Sequence, residues 1–352
     1  MFKKSLSIVS LLTCLTIVLC SCGSDKGGDI YFDDETSSVV SSQSDKFINN
    51  LTGEYEFEDA SKSDLRPVAV MINNINIAQK VQTGLSDASI IYETLAEGGI
   101  TRMLAVYKDL SNTERIGSLR SARYSFVDLA CGHDALYVNV GYDPTYCKPH
   151  MDELNLDNFD MIKGYSSKYN FRVKNGLATE HTLFTTGVLL TEGFKNNNRR
   201  TTAKEAYNKN WQNFVEGSKL NGQPADNVSV FFSASYITNF AYDADTGKYF
   251  KSNRSTPSVD NITNEQYSYK NILVLFTNIS TFPDNYRVYE ELKGGDGYYI
   301  SNGEYKKIKW TKGSAKDALK ITNVDGSKVD YVPGNSYVCI TDVDNKDKTT
   351  IS

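Results

Sequence analysis

Residues 84–109, "GLSDASIIYETLAEGGITRMLAVYKD", decide the fold. The apolar runs on either side of Gly98 and Gly99 read as two strands around a tight turn. With Glu97 and Gly98 as the central turn residues, Glu93 falls opposite Arg102, a cross-strand ion pair. The competing reading is one helix running to Glu97, with Gly98 as its C-cap.

Upstream, "RPVAVMINN" (66–74) is a compact apolar run ending in two asparagines, the pattern of a buried strand and its exit turn. Downstream, "IGSLRSARYSFVDLA" (116–130) begins a helix that Ser121 caps, with Ala122, Phe126, Leu129 and Ala130 on one face and Gly132 at its end. "ALYVNVG" (135–141) is the next strand. Residues 150–225 are more helical in pattern. "TAKEAYNKNWQNFVEG" opens with a capping box, Thr202 and Glu205, and carries Ala206, Tyr207, Trp211 and Phe214 at helical spacing. After the linker-like "NGQPADN" (221–227), short strands alternate with turn signals. The expected fold class is therefore α+β, with a mixed α/β N-terminal domain over 65–222 and a mostly antiparallel, β-rich C-terminal domain over 226–346.

The N-terminus reads as an export signal. Lys3 and Lys4 precede an apolar core of about 14–15 residues, short of the roughly 20 needed to span a bilayer. It ends in "LCSCGSD", where Leu19, Cys20, Ser21 and Cys22 resemble a lipobox with Cys22 as the lipidated residue. This predicts a signal peptide over 1–21, a membrane anchor at Cys22, and an acidic, Ser-rich tether over 22–64. The expected location is the outer face of a bacterial cytoplasmic membrane. Residues 23–64 hold 11 acidic residues against Lys26, Lys46 and Lys62, so the remainder is close to neutral. No basic footprint for nucleic acid is present.

Cys131, Cys147 and Cys339 form no CxxC pair. Buried free thiols are the simpler reading, with a Cys131–Cys147 disulfide left open. His133, His150 and His181 lack metal-ligand spacing, and "DADTG" (243–247) reads as a polar hairpin turn. No cofactor or metal is expected.

Arg120 and Arg123 stand where the helix N-terminus already carries positive partial charge. One account is a structural network, Arg120 with Glu93 and Arg123 with Asp128 or a backbone carbonyl. The other is an anion site in which guanidiniums and helix N–H groups converge on a carboxylate or phosphate. The candidate groove comprises Asn73, Asn74, Glu93, Glu97, Arg102, Arg120 and Arg123. It would take an envelope protein or an anionic small molecule as partner. The alternative is a cell-wall polymer hydrolase using Glu93 or Glu97 as acid or base.

"NLTG" (50–53), "RPVAVMINN", "LAEGGITR", "IGSLRSAR", "YDADTGKY" and "VPGNSYVCI" occur in the order seen in YerB-like bacterial lipoproteins, which the chain resembles from about residue 50 to 345. It departs from the family's usual pattern at Ser118, where proline is usual, and at Thr182, where asparagine is usual. The resemblance implies a two-domain, membrane-anchored extracytoplasmic protein and carries no established chemistry.

Overall fold

A computed structural model describes residues 46–352. The expected signal segment, the lipidation candidate Cys22 and the tether as far as Asp45 lie outside the described residues. The described end of the expected tether is folded: Phe47–Ile48 pairs with Tyr55–Phe57, and Asn49, Leu51 and Phe57 are buried.

The deciding stretch is two antiparallel strands, Ile90–Leu95 and Thr101–Tyr107, and the helix reading is excluded. The turn is longer than two residues. Leu95 pairs with Thr101, the Ala96 N–H donates to the Ile100 carbonyl, and Gly98 and Gly99 both take a φ of 70°. That conformation is open to glycine and strained for other residues. Glu93 therefore lies opposite Met103, and Arg102 opposite Thr94. The expected Glu93–Arg102 pair does not form, because a one-residue change of register moves a side chain to the other face.

Val68–Asn73 flanks Thr101–Tyr107 on its free side, followed by Leu136–Asn139 and Asn158–Asp160, each parallel to its neighbour. The C-terminal half joins the same sheet from the other direction. Ser336–Asp342 runs parallel to Ile90–Leu95, placing Cys339 beside Glu93, and Asn271–Thr277 runs parallel to Ser336–Asp342. Gly294–Ser301 and Glu304–Thr311 extend it antiparallel. One eleven-stranded sheet thus crosses both expected domains. The C-terminal half is rich in strand as expected, yet its two central strands are parallel. Their sequences are near-continuous apolar runs, as strands covered on both faces require.

One face of this sheet carries Ile72, Ile91, Met103 and Tyr337 against a second sheet built on Asn227–Ser233, Tyr236–Asp243 and Lys248–Asn253, which contributes Val230, Phe232 and Phe240. The hairpin between the last two strands closes at "DADTG", where the Asp243 carboxylate accepts from the Thr246 N–H and hydroxyl. The other face carries Met71, Tyr92, Leu104 and Ile340 against the helix Tyr124–Gly132, through Phe126, Leu129 and Ala130. That helix has Arg123 as its N-cap residue, two residues after the expected cap Ser121, and ends at Gly132 as expected. A Cβ at Gly132 would sit 2.7 Å from the Asp317 carbonyl oxygen, so glycine is required by that close approach. The Gly117–Ser118 peptide is cis. Cys131, Cys147 and Cys339 are buried free thiols.

The helix expected over 202–217 is reduced to one 3-10 turn, Glu205–Tyr207. Its backbone groups bond elsewhere: the Ala203 N–H to the Asp64 carbonyl, that of Trp211 to Asn50, and that of Val215 to Tyr331. Trp211 still reaches the core, but by tertiary pairing and not by helical periodicity.

Glu93 and Glu290 are among the buried carboxylates that fasten the halves together. Glu93, 1 % exposed, accepts from Asn74 (2.8 Å) and Thr101 (2.7 Å) on one oxygen, and from Thr238 (2.9 Å) and Tyr337 (2.6 Å) on the other. Lys251, also buried, supplies the nearby positive charge; burial lowers its pKa and Glu93 opposes that. Glu290, from the strand Val288–Glu290, accepts from the Ser125 hydroxyl in the first turn of the helix, and burial raises its pKa to about 7.

Removing the Glu93 carboxylate strands four buried donors. Glu93→Ala is expected to lower the unfolding free energy by about 3–5 kcal/mol, and Thr238→Val, which deletes one donor, by about 1 kcal/mol. Denaturant titration measures both; a Glu93→Ala loss no larger than that of Thr238→Val would refute the clamp. The second carboxylate sets a pH dependence. Its folded pKa lies above its unfolded value near 4.5, so the folded state holds the extra proton between the two and Glu290 contributes less stability as pH rises through that window. Glu290→Gln should match the parent near pH 4.5 and exceed it above pH 7 by on the order of 3 kcal/mol. A difference that is flat across that range would contradict it.

Candidate functional site

The change of register divides the expected groove. Asn74 and Glu93 belong to the buried clamp: the Asn74 amide donates to Glu93 and its carbonyl accepts from Gln82. Every oxygen of Glu93 already accepts two hydrogen bonds, and its partners Thr238 and Tyr337 close it off on the side of the second sheet. Asn73, Glu97, Arg102, Arg120 and Arg123 gather at the opposite face. In the sheet Arg102 lies between Asn73 and Thr94, its direct partners on the two neighbouring strands.

Arg123 is the N-cap residue of the helix Tyr124–Gly132 and uses no side-chain cap. Its Nε donates to Glu97 Oε2 at 2.8 Å, and its Nη1 donates to the Ala122 carbonyl at 2.9 Å; Glu97 Oε1 is enclosed without a hydrogen-bond partner among the described residues. Of its expected partners, the backbone carbonyl is present. Asp128 instead meets His150, whose ring stacks on Tyr124 at 3.9 Å between centroids. Arg120 pairs with Glu180 at 3.1 Å, not with Glu93. Glu180 is half exposed, and such a surface pair contributes about 0–1 kcal/mol.

Arg102 is different. It is 2 % exposed, and its Nε and Nη1 are enclosed without a hydrogen-bond partner among the described residues. Its pKa falls to about 9, chiefly through burial, then through the like charges of Arg123 and Arg120, with Glu97 opposing. A guanidinium remains charged at neutral pH even so. The cluster therefore holds three cations, two of them each tied to one glutamate and the innermost tied to none.

His181, whose spacing gave no metal-ligand pattern, adjoins this cluster. Its Nδ1 is 2.8 Å from the Asn73 amide nitrogen. Burial lowers its pKa, Glu180 opposes, and Arg120 and Arg102 lower it further. Glu180 and Glu290 were absent from the sequence-based set. Glu180 stands next to a residue already singled out, whereas Glu290 arrives from a strand 165 positions beyond Ser125 and left no local signal. Groups of His, Cys, Asp and Glu able to hold a metal are absent among the described residues.

The comparisons agree with this architecture. The N-terminal domain of the protein family of unknown function DUF3048 matches residues 51–203, and its C-terminal domain matches 228–338. A Bacillus subtilis (strain 168) protein named "Putative lipoprotein YerB" is 27% identical over 319 residues, 82% of this chain and 85% of that protein. The crystal structure of YerB protein from Bacillus subtilis aligns with a TM-score of 0.74 at 25% identity, covering 87% of this chain and 100% of that one. Matched by both domains in order and by a relative over most of its length, the chain belongs to the DUF3048 family of YerB-like proteins.

Proposed function

We propose that this chain is a lipoprotein anchored through Cys22 at the outer face of the cytoplasmic membrane, and that it binds an anionic group through Arg102, Arg120 and Arg123. The anchor rests on the lipobox-like "LCSC" and on a relative named as a lipoprotein. Among the described residues no helix is long and apolar enough to cross a membrane. The binding reading rests on one observation, the enclosed and unpartnered guanidinium of Arg102. A buried guanidinium without a hydrogen-bonded acceptor is heavily disfavoured, and neither Glu97, paired with Arg123, nor Glu180, paired with Arg120, forms an ion pair with Arg102. An incoming carboxylate or phosphate oxygen supplies the missing acceptor, and the helix N-terminus at Arg123 favours the same charge. The hydrolase alternative has weaker support, since Glu93 is walled in by four donors and Glu97 is held by Arg123.

Cys22→Ser should move the protein from the membrane fraction to the soluble fraction; retention in the membrane pellet would exclude the anchor. Arg102→Met removes the uncompensated charge. In low-salt buffer it should melt at or above the parent's temperature. Acetate should raise the melting temperature of the parent and leave the variant unchanged. An equal acetate response in both proteins, or collapse of the variant, would reject the site.

A further inference from the structure

A second group of cations lies at the other end of the central sheet. Arg66 precedes the strand Val68–Asn73 and Asn73 ends it, so the two ends are about 20 Å apart along an extended strand. There a cavity of about 590 Å³ is lined by Arg66, Arg199, Arg200, Lys204 and Lys316, against only Asp134 and Asp157. Asp157 bridges Arg66 (2.5 Å) and Arg199 (2.8 Å). Asp134 holds Arg200 (2.8 Å) and Lys204 (3.2 Å). Lys316 makes no ion pair with a described residue, and Arg199 Nε is enclosed without a partner.

Nearby helix ends offset part of this positive charge. The helices Tyr124–Gly132, Cys147–Glu153 and Gly187–Asn196 end at this cavity, whose wall includes Asp134, Leu154 and Asn197 just beyond them. Each helix C-terminus presents about half a negative charge, which accounts for cations collecting here. Three such ends offset about one and a half charges, and the seven-residue helix less than its share. With both aspartates counted, five cations still leave an excess of more than one charge. The aspartates act as struts that fix Arg199 and Arg200 at the rim.

The geometry points to an anion site, and we propose that this cavity binds a phosphate group carried on a small polar molecule. Guanidiniums present paired N–H donors to phosphate oxygens. An excess beyond one charge favours a phosphate monoester over a carboxylate. The volume lies within the range of small-molecule sites, roughly 300–1,000 Å³, and exceeds what a bare ion fills. The proposal is independent of Arg102.

The test is calorimetric titration of the full chain in detergent with pyrophosphate, glycerol phosphate and glycerophosphoglycerol, the last being the water-soluble headgroup of an anionic lipid. Lys316→Gln is the informative variant, because Lys316 bears no ion pair of the fold. Saturable binding of glycerol phosphate is expected, with a component that Lys316→Gln weakens about tenfold and that persists in Arg102→Met. Tighter binding of the diester, with the same Lys316 dependence, would keep the phosphate site and assign it to lipid headgroups. No saturable binding of any of the three at millimolar concentration, or affinity indifferent to Lys316→Gln, overturns the proposal. Loss with Arg102→Met alone would also overturn it and return the ligand to the first site.

Discussion

The Glu93 carboxylate is the point on which the molecule closes. Its four donors come from four places: Asn74 after the first strand of the central sheet, Thr101 at the start of the neighbouring strand, Thr238 in the second sheet, and Tyr337 in the last long strand. A carboxylate satisfied this fully fixes register as well as position, because any slip leaves donors and acceptor buried and unpaired. The parallel seam between Ile90–Leu95 and Ser336–Asp342 depends on it. So does the packing of the second sheet onto the first.

This constraint also separates what lies in the sequence from what does not. The strands of the second half were legible one by one, since each is a short run bounded by turn residues. Their joining to the first half was not, because a parallel partner 246 residues away leaves no local mark. The register of 84–109 failed by a single residue. Two glycines can sit in a two-residue or a longer loop, and only the packing of Glu93 toward Tyr337 and of Arg102 toward Arg123 selects between them. The helix expected over 202–217 failed for a related reason. Its capping box and apolar spacing were real, but Asp64, Asn50 and Tyr331 offer its backbone better partners.

Arg120 and Arg123 are carried by a loop and a helix start, whose placement does not depend on strand register. Arg120 and Arg123 are brought to Arg102 as the local sequence suggested. The assignment of acids was less legible. Glu93 was the obvious partner by proximity, and the fold turns it to the opposite face. Its place is taken by Glu97, in the hairpin connection that follows, and by Glu180, from a distant segment. Charge complementarity is decided in three dimensions, and the sequence supplies only the inventory.

The two cation clusters obey the same electrostatics in opposite fields. At the far end of the sheet, three helix C-termini and two aspartates attract Arg66, Arg199, Arg200 and Lys204, so cations there are mostly held by the protein itself. Beside Arg102 the nearest helix presents its N-terminus, which repels cations, and the nearest glutamates form their ion pairs with Arg120 and Arg123. The same residue type is therefore less well compensated in the second place, and there it is also the more deeply buried. Surface charges in that position would be relieved by water and salt. A guanidinium 2 % exposed has neither, and that lack is the physical ground on which an anion site is proposed there.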